Sequence, residues 1–211
     1  METEPGPLIH VVAFRHGETT LNAAGRLTGQ LDPELTARGR EEARALAEVV
    51  RQPFDRRIHS GLRRAEETLR IAAGDGDGDG LPVEVDPRWR ERSFGALEGE
   101  PWDAWAQPPD LDAAPPGGES YRALGLRIVS ALDDLAAEAR AAGRTQRVLV
   151  STHSGVLRWL SALADAPDGG DPLAAFTRPG PANGAVVELA YATPPSTSTP
   201  PSPPASPSPS T

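Results

Sequence analysis

The sequence lacks cysteine and lysine altogether, and it has no long hydrophobic run. Without cysteine, the chain forms no disulfide, offers no thiolate nucleophile and has no sulfur ligand for a metal. No apolar run approaches the roughly 18 residues that a membrane-spanning helix needs. Residues 1–7 contain acidic side chains and no positively charged segment of the kind that begins a signal peptide. We therefore expect a cytoplasmic protein with no membrane span.

A basic stripe of the kind that binds nucleic acid is also missing. The formal net charge is −9, and all 21 basic residues are arginines. An acidic chain without a basic face is a poor partner for a phosphate backbone, so nucleic acid is not expected as a partner. The 211 residues are enough for one sizeable domain with a hydrophobic core.

What the sequence does contain is an alternation of short apolar runs and amphipathic stretches. The apolar runs predict strands at Leu8–Phe14, Arg56–Ser60, Leu81–Val85, Arg147–Thr152 and Ala185–Tyr191. The amphipathic stretches predict helices at Thr36–Val50, Leu62–Ala73, Glu119–Ala142 and Gly155–Leu163. Strands that alternate with helices indicate an α/β sandwich with a largely parallel sheet.

Three segments are interpreted as flexible. Residues 1–7 are expected to be a flexible N-terminus, and residues 194–211 contain only Pro, Ser, Thr and Ala, a composition that cannot bury a core and predicts a disordered tail. The Asp-rich stretch 75–80 matches the first half of a calcium-binding loop. A predicted strand follows it instead of a helix, so a flexible loop is favoured. The folded domain is expected to span residues 8–193.

Two predicted strands end in a turn that carries a histidine. The segment Arg15–Gly17, which contains His16, follows the first strand, and Thr152–Gly155, which contains His153, leads from the fourth strand into a helix. Parallel strands bring their carboxyl ends to one edge of the sheet, where ligands bind in open α/β folds. A strand–turn–helix junction also directs free backbone N–H groups at an anion. The two histidines can therefore meet at an anion site.

Other residues near strand ends supply what phosphoryl transfer requires. The reaction needs a nucleophile, positive groups around the phosphoryl oxygens and an acid for the leaving group. His16 suits the first role, Arg15, Arg64 and His153 the second, and Glu91 the third. An exposed ion pair is the alternative role for Arg64 and for Glu91.

Five short motifs in order resemble those of the histidine phosphatase superfamily, also called phosphoglycerate mutase-like. They are RHGET, SGLRRAEET, ERSFGALEG, GGES and STHSG, and the resemblance runs from about Leu8 to Tyr191. It implies a three-layer α/β/α sandwich with a mostly parallel central sheet. It also implies an enzyme that acts on a small phosphate ester without a metal or another cofactor, because Arg and His supply the positive charge.

The resemblance implies a role for each matching residue. His16 attacks phosphorus and becomes a phosphohistidine, while the carbonyl of Gly17 holds its other ring nitrogen. Glu91 protonates the leaving oxygen and then activates water. The groups that bind the substrate are Arg15, Asn22, Thr28, Gly29, Arg64, His153 and the backbone N–H of Ser154.

This chain departs from the usual family pattern at two positions. Ser154 stands where the family often has glycine, and Leu21 stands where many members have tryptophan. Neither change removes a group that the chemistry needs, so an active enzyme is expected. By motif position, Glu18 and Glu98 are weaker alternatives to Glu91 as the acid, and Glu18 is expected to order its loop.

The segment Glu100–Glu119 bears on the type of reaction. It contains five acidic residues and no arginine, whereas mutases that resemble this chain carry a basic insertion there to grip a second anion. We therefore expect a phosphomonoesterase and disfavour multiply anionic substrates. A phosphoglycerate mutase and a non-catalytic module that binds a phosphorylated ligand are the alternatives. The neighbouring Trp89, Trp102 and Trp105 are interpreted as core or lid packing, with a wall that stacks on the substrate as the alternative.

Overall fold

Five strands form the central sheet of the computed structural model, which describes residues 8–74, 80–105, 110–165 and 180–192. The strands are β1 (Ile9–Arg15), β2 (Arg56–His59), β3 (Val83–Val85), β4 (Gln146–Thr152) and β5 (Val186–Tyr191). They lie in the order β3-β2-β4-β1-β5. The first four strands are parallel, and β5 runs antiparallel to β1 at one edge. The prediction of a mostly parallel sheet is confirmed.

Helices cover both faces of this sheet. They are α1 (Thr20–Ala23), α2 (Ala37–Ala45), α3 (Ala47–Val50), α4 (Arg63–Ala73), α5 (Tyr121–Ala141) and α6 (Ser154–Asp165). The side chain of Ser120 caps α5 by accepting the N–H of Ala123, and Gly143 adopts a φ of +64° just beyond its end. Between β3 and α5 the chain forms short 3-10 turns, in the stretch that the sequence predicts to be irregular.

Alternate side chains of β1 face two separate hydrophobic clusters. Ile9, Val11 and Ala13 pack with residues of α5 and α6 on one face of the sheet. Val12 and Phe14 pack on the other face with residues from the region of α3 and α4. This separation follows from the two-residue period of a strand. It produces the three-layer α/β/α arrangement that the family resemblance implies.

The carboxyl ends of the four parallel strands lie side by side. Arg15 of β1 pairs with Thr152 of β4, while His59 of β2 pairs with Ser151 of β4 and Val85 of β3. The residues that follow these strands therefore emerge at one edge of the sheet.

The helix predicted for residues 36–50 is divided at Leu46. Thr36 caps its first part, α2, by accepting the N–H of Gly39. The N–H of Leu46 bonds to the carbonyl of Ala43, three residues back, and this tighter turn separates α2 from α3. The stretch 17–33, predicted to be mostly loop, contains the one-turn helix α1.

Some predictions concern residues outside the described ranges. These are the N-terminus 1–7, the Asp-rich stretch 75–79, part of the acidic segment at 106–109, and the tail from 193 onwards. Within the ranges that are described, no helix combines the length and the low polarity required to cross a membrane.

Candidate active site

His16 lies directly after β1, and only 2% of its surface is exposed. Its Nδ1 is 2.7 Å from the carbonyl oxygen of Gly17, which can only accept, so Nδ1 carries the proton. Its Nε2 keeps a lone pair, which accepts the Nε–H of Arg64 at 3.2 Å. Burial, and then the charges of Arg64 and Arg15, lower the pKa of His16 well below its usual value. The ring is therefore neutral at neutral pH, as a nitrogen nucleophile must be.

The turn that carries His16 is held by its neighbours. The N–H of Gly17 donates to Oγ1 of Thr68 at 3.1 Å, and Nδ2 of Asn183 donates to the carbonyl of His16 at 2.9 Å. A Cβ atom on Gly17 would overlap the carbonyl oxygen of Gly39 at the start of α2. Glycine is therefore what allows α2 to pack so closely on the turn.

Arg64 lies in the first turn of α4 and is 1% exposed. Besides its bond to His16, Nη2 donates to the carbonyl of Gly29 at 2.8 Å, and Nη1 donates to the carbonyl of Leu31 at 2.6 Å. Burial lowers the pKa of Arg64, while the nearby Glu91 and Asp32 oppose that shift. The neighbouring Arg63 is exposed. Of the two adjacent arginines, Arg64 is thus the one whose guanidinium is fixed beside His16.

Arg15 ends β1 and approaches the same region. Its Nη1 donates to the carbonyl of Pro181 at 2.6 Å, and its buried Nε has no hydrogen-bond partner among the described residues. Burial lowers the pKa of Arg15, opposed chiefly by Glu91. A guanidinium remains charged in proteins, so this unused donor suits an anion.

His153 follows β4, and its ring centroid lies 5.1 Å from that of His16. Its Nε2 is 2.7 Å from Oγ of Ser60, and that hydroxyl also accepts the N–H of Leu62. Its buried Nδ1 has no hydrogen-bond partner among the described residues. Burial, and then the charge of Arg64, lower the pKa of His153 well below its usual value. The second histidine is thus neutral and has one unsatisfied ring nitrogen.

Glu91 reaches the site from the turn that follows β3. Its Oε1 accepts the N–H of Arg92 at 2.7 Å, and its Oε2 accepts the N–H of Gly155 at 3.1 Å. A Cβ atom on Gly155 would overlap Oε1 of Glu91. A glycine in the first turn of α6 therefore lets the carboxyl group approach the helix.

The loop after β1 adds smaller polar groups. Thr19 and Asn22 form a reciprocal capping box at the start of α1, and Nδ2 of Asn22 donates to Oγ1 of Thr28 at 3.3 Å. Gly29 has a φ of +50°, and its carbonyl receives the bond from Arg64. This loop therefore connects the predicted substrate contacts to Arg64.

A cavity of about 360 Å³ joins these groups, a size typical of sites for small molecules. Eight of the nine predicted site residues line it: Arg15, His16, Asn22, Thr28, Gly29, Arg64, Glu91 and Ser154. The ninth, His153, packs against His16. Within the described part of the chain, no group of three or more histidines and carboxylates is placed to hold a metal ion.

The two alternative acids are engaged elsewhere and do not line the cavity. Oε1 of Glu18 accepts the hydroxyl of Thr36 at 2.8 Å. Oε1 of Glu98 accepts the N–H groups of Gln30 and Phe94, each at 3.0 Å. Both carboxylates therefore order loops, which is the role expected for Glu18.

Sequence reasoning missed several residues of the cavity wall: Arg92, Phe94, Tyr121, Arg158 and Asn183. Arg158 lies one helical turn after Ser154, so the periodicity of α6 places both on one face. Arg92 and Phe94 lie within the motif ERSFGALEG, from which only Glu91 was chosen. For Tyr121 and Asn183, at the start of a distant helix and before an edge strand, the sequence carries no comparable signal.

The three tryptophans have different environments. Trp89 is fully buried in the core, and its carbonyl accepts the hydroxyl of Thr152 at 2.6 Å. Trp102 is 66% exposed and lines the cavity, whereas Trp105 does not line it. The alternative of a stacking wall therefore applies to Trp102 alone among the three.

Comparison with known proteins is consistent with this geometry. The sequence profile described as histidine phosphatase superfamily, branch 1, matches residues 11–194. A glucosyl-3-phosphoglycerate phosphatase of Mycolicibacterium vanbaalenii is 37% identical over 166 residues, which are 72% of each chain. A 2,3-bisphosphoglycerate-dependent phosphoglycerate mutase of Gloeobacter violaceus is 34% identical over 161 residues, 70% of this chain and 72% of the mutase. The solved structure of a mycobacterial glucosyl-3-phosphoglycerate phosphatase superposes with a TM-score of 0.70 at 30% identity, covering 86% of this chain and 89% of that one.

Proposed function

This chain belongs to the histidine phosphatase superfamily, and we propose that it is a phosphomonoesterase that hydrolyses a small phosphorylated metabolite through a phosphohistidine on His16. The observation that carries the proposal is the state of His16. Its Nδ1–H is bonded to the Gly17 carbonyl, and a lone pair on Nε2 lies at a cavity that is also lined by the half-buried Arg15 and the buried Arg64.

In the first step, the phosphoryl group of the substrate enters between the arginines. Its oxygens accept N–H bonds from Arg15 and Arg64, which releases Nε2 of His16 from its bond to Arg64. The Nε2 lone pair then forms a bond to phosphorus while the ester P–O bond breaks. Glu91 acts as the general acid of this step and gives a proton to the departing alkoxide.

His153 takes the role of a neutral donor in this scheme. The Ser60 hydroxyl donates to Nε2 of His153, so the proton of the neutral ring resides on Nδ1 and bonds a phosphoryl oxygen. The buried Nδ1 that lacks a partner in the described structure supports this assignment. The N–H of Ser154 and the amide of Asn22 add donors at the cavity wall.

In the second step, water attacks the phosphorus of phosphohistidine. The Glu91 carboxylate takes a proton from that water, the P–N bond breaks, and Nε2 of His16 regains its lone pair. Inorganic phosphate then leaves, and Glu91 is again protonated.

Hydrolysis is favoured over mutase chemistry by the segment that follows Glu91. Mutases that resemble this chain carry a basic insertion after the acid, and the segment Glu100–Glu119 contains no arginine that could serve as one. Two of its acids, Asp112 and Glu119, instead pair with the helix residues Arg122 at 2.6 Å and Arg127 at 2.7 Å.

The test is phosphate release from p-nitrophenyl phosphate together with trapping of the intermediate. The wild-type protein should turn over and should carry an acid-labile phosphoryl group after rapid quenching. His16→Gln should abolish both, whereas His10→Gln, which changes an exposed histidine on β1, should retain both. An acid-labile phosphoryl group that still forms on the His16→Gln protein would exclude His16 as the nucleophile. Conversion of 3-phosphoglycerate to 2-phosphoglycerate faster than phosphate release would establish the mutase, and phosphate binding without any turnover would establish a binding module.

A further inference from the structure

Glu91 lies outside the helices and strands, so its position depends on contacts with other elements. The backbone carbonyls of residues 88–91 all accept hydrogen bonds from side chains elsewhere in the fold. The hydroxyl of Thr152 on β4 bonds one of them at 2.6 Å. The other three all accept N–H groups of Arg127 on α5, and the carbonyl of Glu91 also accepts Nε2 of Gln30 at 2.6 Å.

Arg127 uses every N–H group of its guanidinium. Nη1 donates to the carbonyls of Arg88 at 2.5 Å and Arg90 at 2.8 Å, and Nη2 donates to the carbonyl of Glu91 at 3.1 Å. The two remaining N–H groups, on Nε and Nη2, donate to the two carboxylate oxygens of Glu119 at 2.7 and 2.8 Å. Because the guanidinium is planar and rigid, the two bonds to the carboxylate fix the direction of the other three.

Glu119 is itself fixed at the start of α5. Its N–H donates to the carbonyl of Ser93 at 2.9 Å, two residues beyond Glu91. The next residue, Ser120, caps α5 with its side chain. The carboxylate that orients Arg127 is therefore held by the same segment that the arginine holds.

The two ion pairs near the start of α5 differ in their environment. The side chains of Arg127 and Glu119 are 22% and 20% exposed, whereas those of Arg122 and Asp112 are 54% and 62% exposed. An exposed pair contributes little, because water screens its charges and its side chains remain free to move. The Arg127 pair is shielded from water and continues into three backbone carbonyls, so it is able to hold the main chain.

The carboxyl group of Glu91 is held by a second helix, through the N–H of Gly155 in α6. The two helices are in direct contact. A Cβ atom on Gly125 of α5 would overlap the ring of Trp159 in α6, and Nε1 of Trp159 donates to the carbonyl of Tyr121 at 2.9 Å. The main chain of the acid is thus tied to α5 and its carboxyl group to α6, and helix packing fixes the distance between the two attachments.

We propose that Arg127, oriented by Glu119, is a positioning residue that holds the main chain of residues 88–91 and thereby keeps the Glu91 carboxyl group at the first turn of α6. Arg127 does not line the cavity, so it acts through Glu91 and not on the substrate. Without its fork of donors, three carbonyls lose a partner and the turn can relax, which moves the acid but leaves His16 in place. This inference rests on the proposed function, in which Glu91 protonates the leaving oxygen.

Two substrates with different leaving groups test the proposal. Arg127→Lys keeps the charge but replaces five fixed donors with a flexible ammonium group. The kcat for glycerol 3-phosphate, whose alcohol leaves as an alkoxide, should fall by about 10- to 100-fold, because an acid that is out of place transfers its proton poorly. The kcat for p-nitrophenyl phosphate, whose phenolate needs no proton, should fall by less than about threefold. Equal losses for the two substrates would overturn the proposal.

The matched control is Arg122→Lys, which alters the exposed ion pair on the same helix. It should change the kcat for either substrate by less than about twofold. A loss with glycerol 3-phosphate as large as that in Arg127→Lys would overturn the proposal, because it would show that any ion pair of α5 has this effect.

A double variant distinguishes positioning from a general loss of structure. In Glu91→Gln the acid is already absent, so adding Arg127→Lys should lower the kcat for glycerol 3-phosphate by less than about a further twofold, since two changes that act through one group do not add. A further loss as large as the one that Arg127→Lys causes in the wild-type protein would overturn the proposal.

A measurement without turnover separates this inference from the proposed function. The N–H of Gly155 is bonded to the Glu91 carboxyl group, so its amide resonance reports whether that group is in place. Arg127→Lys should shift this resonance in the same direction as Glu91→Gln, and Arg122→Lys should leave it unchanged. These shifts would support the positioning role even if the wild-type protein hydrolysed nothing. A Gly155 resonance that is unchanged in Arg127→Lys would overturn it even if Glu91 proved to be the acid.

Discussion

The inner and outer ends of the cavity are built differently. At the inner end, His16, Arg64 and His153 are almost completely buried, and backbone carbonyls or a buried hydroxyl fix their side chains. At the outer end, Arg158 is half-buried and Trp102 is 66% exposed.

We interpret this difference as a division of roles, in which the inner end carries out the reaction and the outer end selects the substrate. His16 and His153 directly follow the ends of parallel strands, where the sheet itself fixes their relative positions, and Arg64 lies in the first turn of the helix that follows β2. The outer groups come from α5, α6 and irregular turns, which can vary without disturbing the sheet. We therefore expect changes at the inner end to affect every substrate and changes at the outer end to affect some substrates more than others.

The largest expected effect is at Arg64. Arg64→Lys keeps the charge but cannot reproduce the fork that bonds Gly29, Leu31 and His16 at once. We expect kcat/KM to fall by about 10²–10³-fold for all phosphate esters. Arg63→Lys is the matched control, because the adjacent Arg63 is exposed, and it should change activity by less than about twofold. Similar losses in both variants would show that burial does not distinguish the two arginines.

The inner end was also the part that the sequence could predict. His16, Arg64, Glu91 and His153 each follow a strand, and parallel strands end at a common edge, so their convergence follows from topology. Ser60 also follows a strand, within the motif that supplies Arg64, but its bond to His153 is evident only in the structure.

The outer end could not be predicted, because its contacts are long-range. Arg92 and Tyr121 are 29 positions apart and meet only because α5 packs against the turn after β3. The charge of segment 100–119 illustrates the same limit of sequence reasoning. The sequence of this segment contains five acidic residues, but only the structure reveals that Asp112 and Glu119 pair with arginines outside the cavity.

A smaller loss of activity is expected when a side chain at position 155 displaces the carboxyl group of Glu91. In Gly155→Ala the new Cβ would overlap Oε1 of Glu91, and the flexible carboxyl end can move without unfolding the protein. The kcat for glycerol 3-phosphate should fall by about 10²-fold, because an alkoxide needs a proton to leave. The kcat for p-nitrophenyl phosphate should fall far less, since p-nitrophenolate leaves without one. Equal losses for the two substrates would argue against Glu91 as the acid.

Ser60 should affect activity through His153. Ser60→Ala removes the partner of Nε2, so the ring no longer has one fixed tautomer, and we expect about a tenfold loss in kcat/KM together with weaker inhibition by vanadate. Ring ¹⁵N chemical shifts should report the tautomer change directly. Ser151→Ala is the matched control, because Ser151 is equally buried but its hydroxyl donates to the carbonyl of Ala65 at 2.7 Å. An unchanged ¹⁵N spectrum in Ser60→Ala would refute the positioning role.

The two buried histidines should make stability depend on pH. Burial lowers the pKa of His16 and of His153 in the folded protein, so the unfolded chain binds protons more readily. Their stabilising effect is complete above the unfolded pKa of about 6.5 and is lost as the pH falls towards the folded pKa values. Each histidine should cost up to about 1.4 kcal/mol per pH unit in that window. Urea unfolding of His153→Gln should therefore show a smaller slope between about pH 6.5 and pH 5 than the wild-type protein, and an identical slope would contradict the argument.

The smallest effect is expected at Trp102, where the outer end meets solvent. An indole that is 66% exposed on the cavity wall can stack on a ring of the leaving group, which contributes about 1 kcal/mol. Trp102→Ala should therefore raise KM for p-nitrophenyl phosphate by about fivefold and leave KM for glycerol 3-phosphate, which has no ring, unchanged. Trp105→Ala, three positions further on and outside the cavity wall, should change neither KM. A rise in KM for both substrates would mean that Trp102 supports the phosphate end, and the division between inner chemistry and outer selection would then fail at this residue.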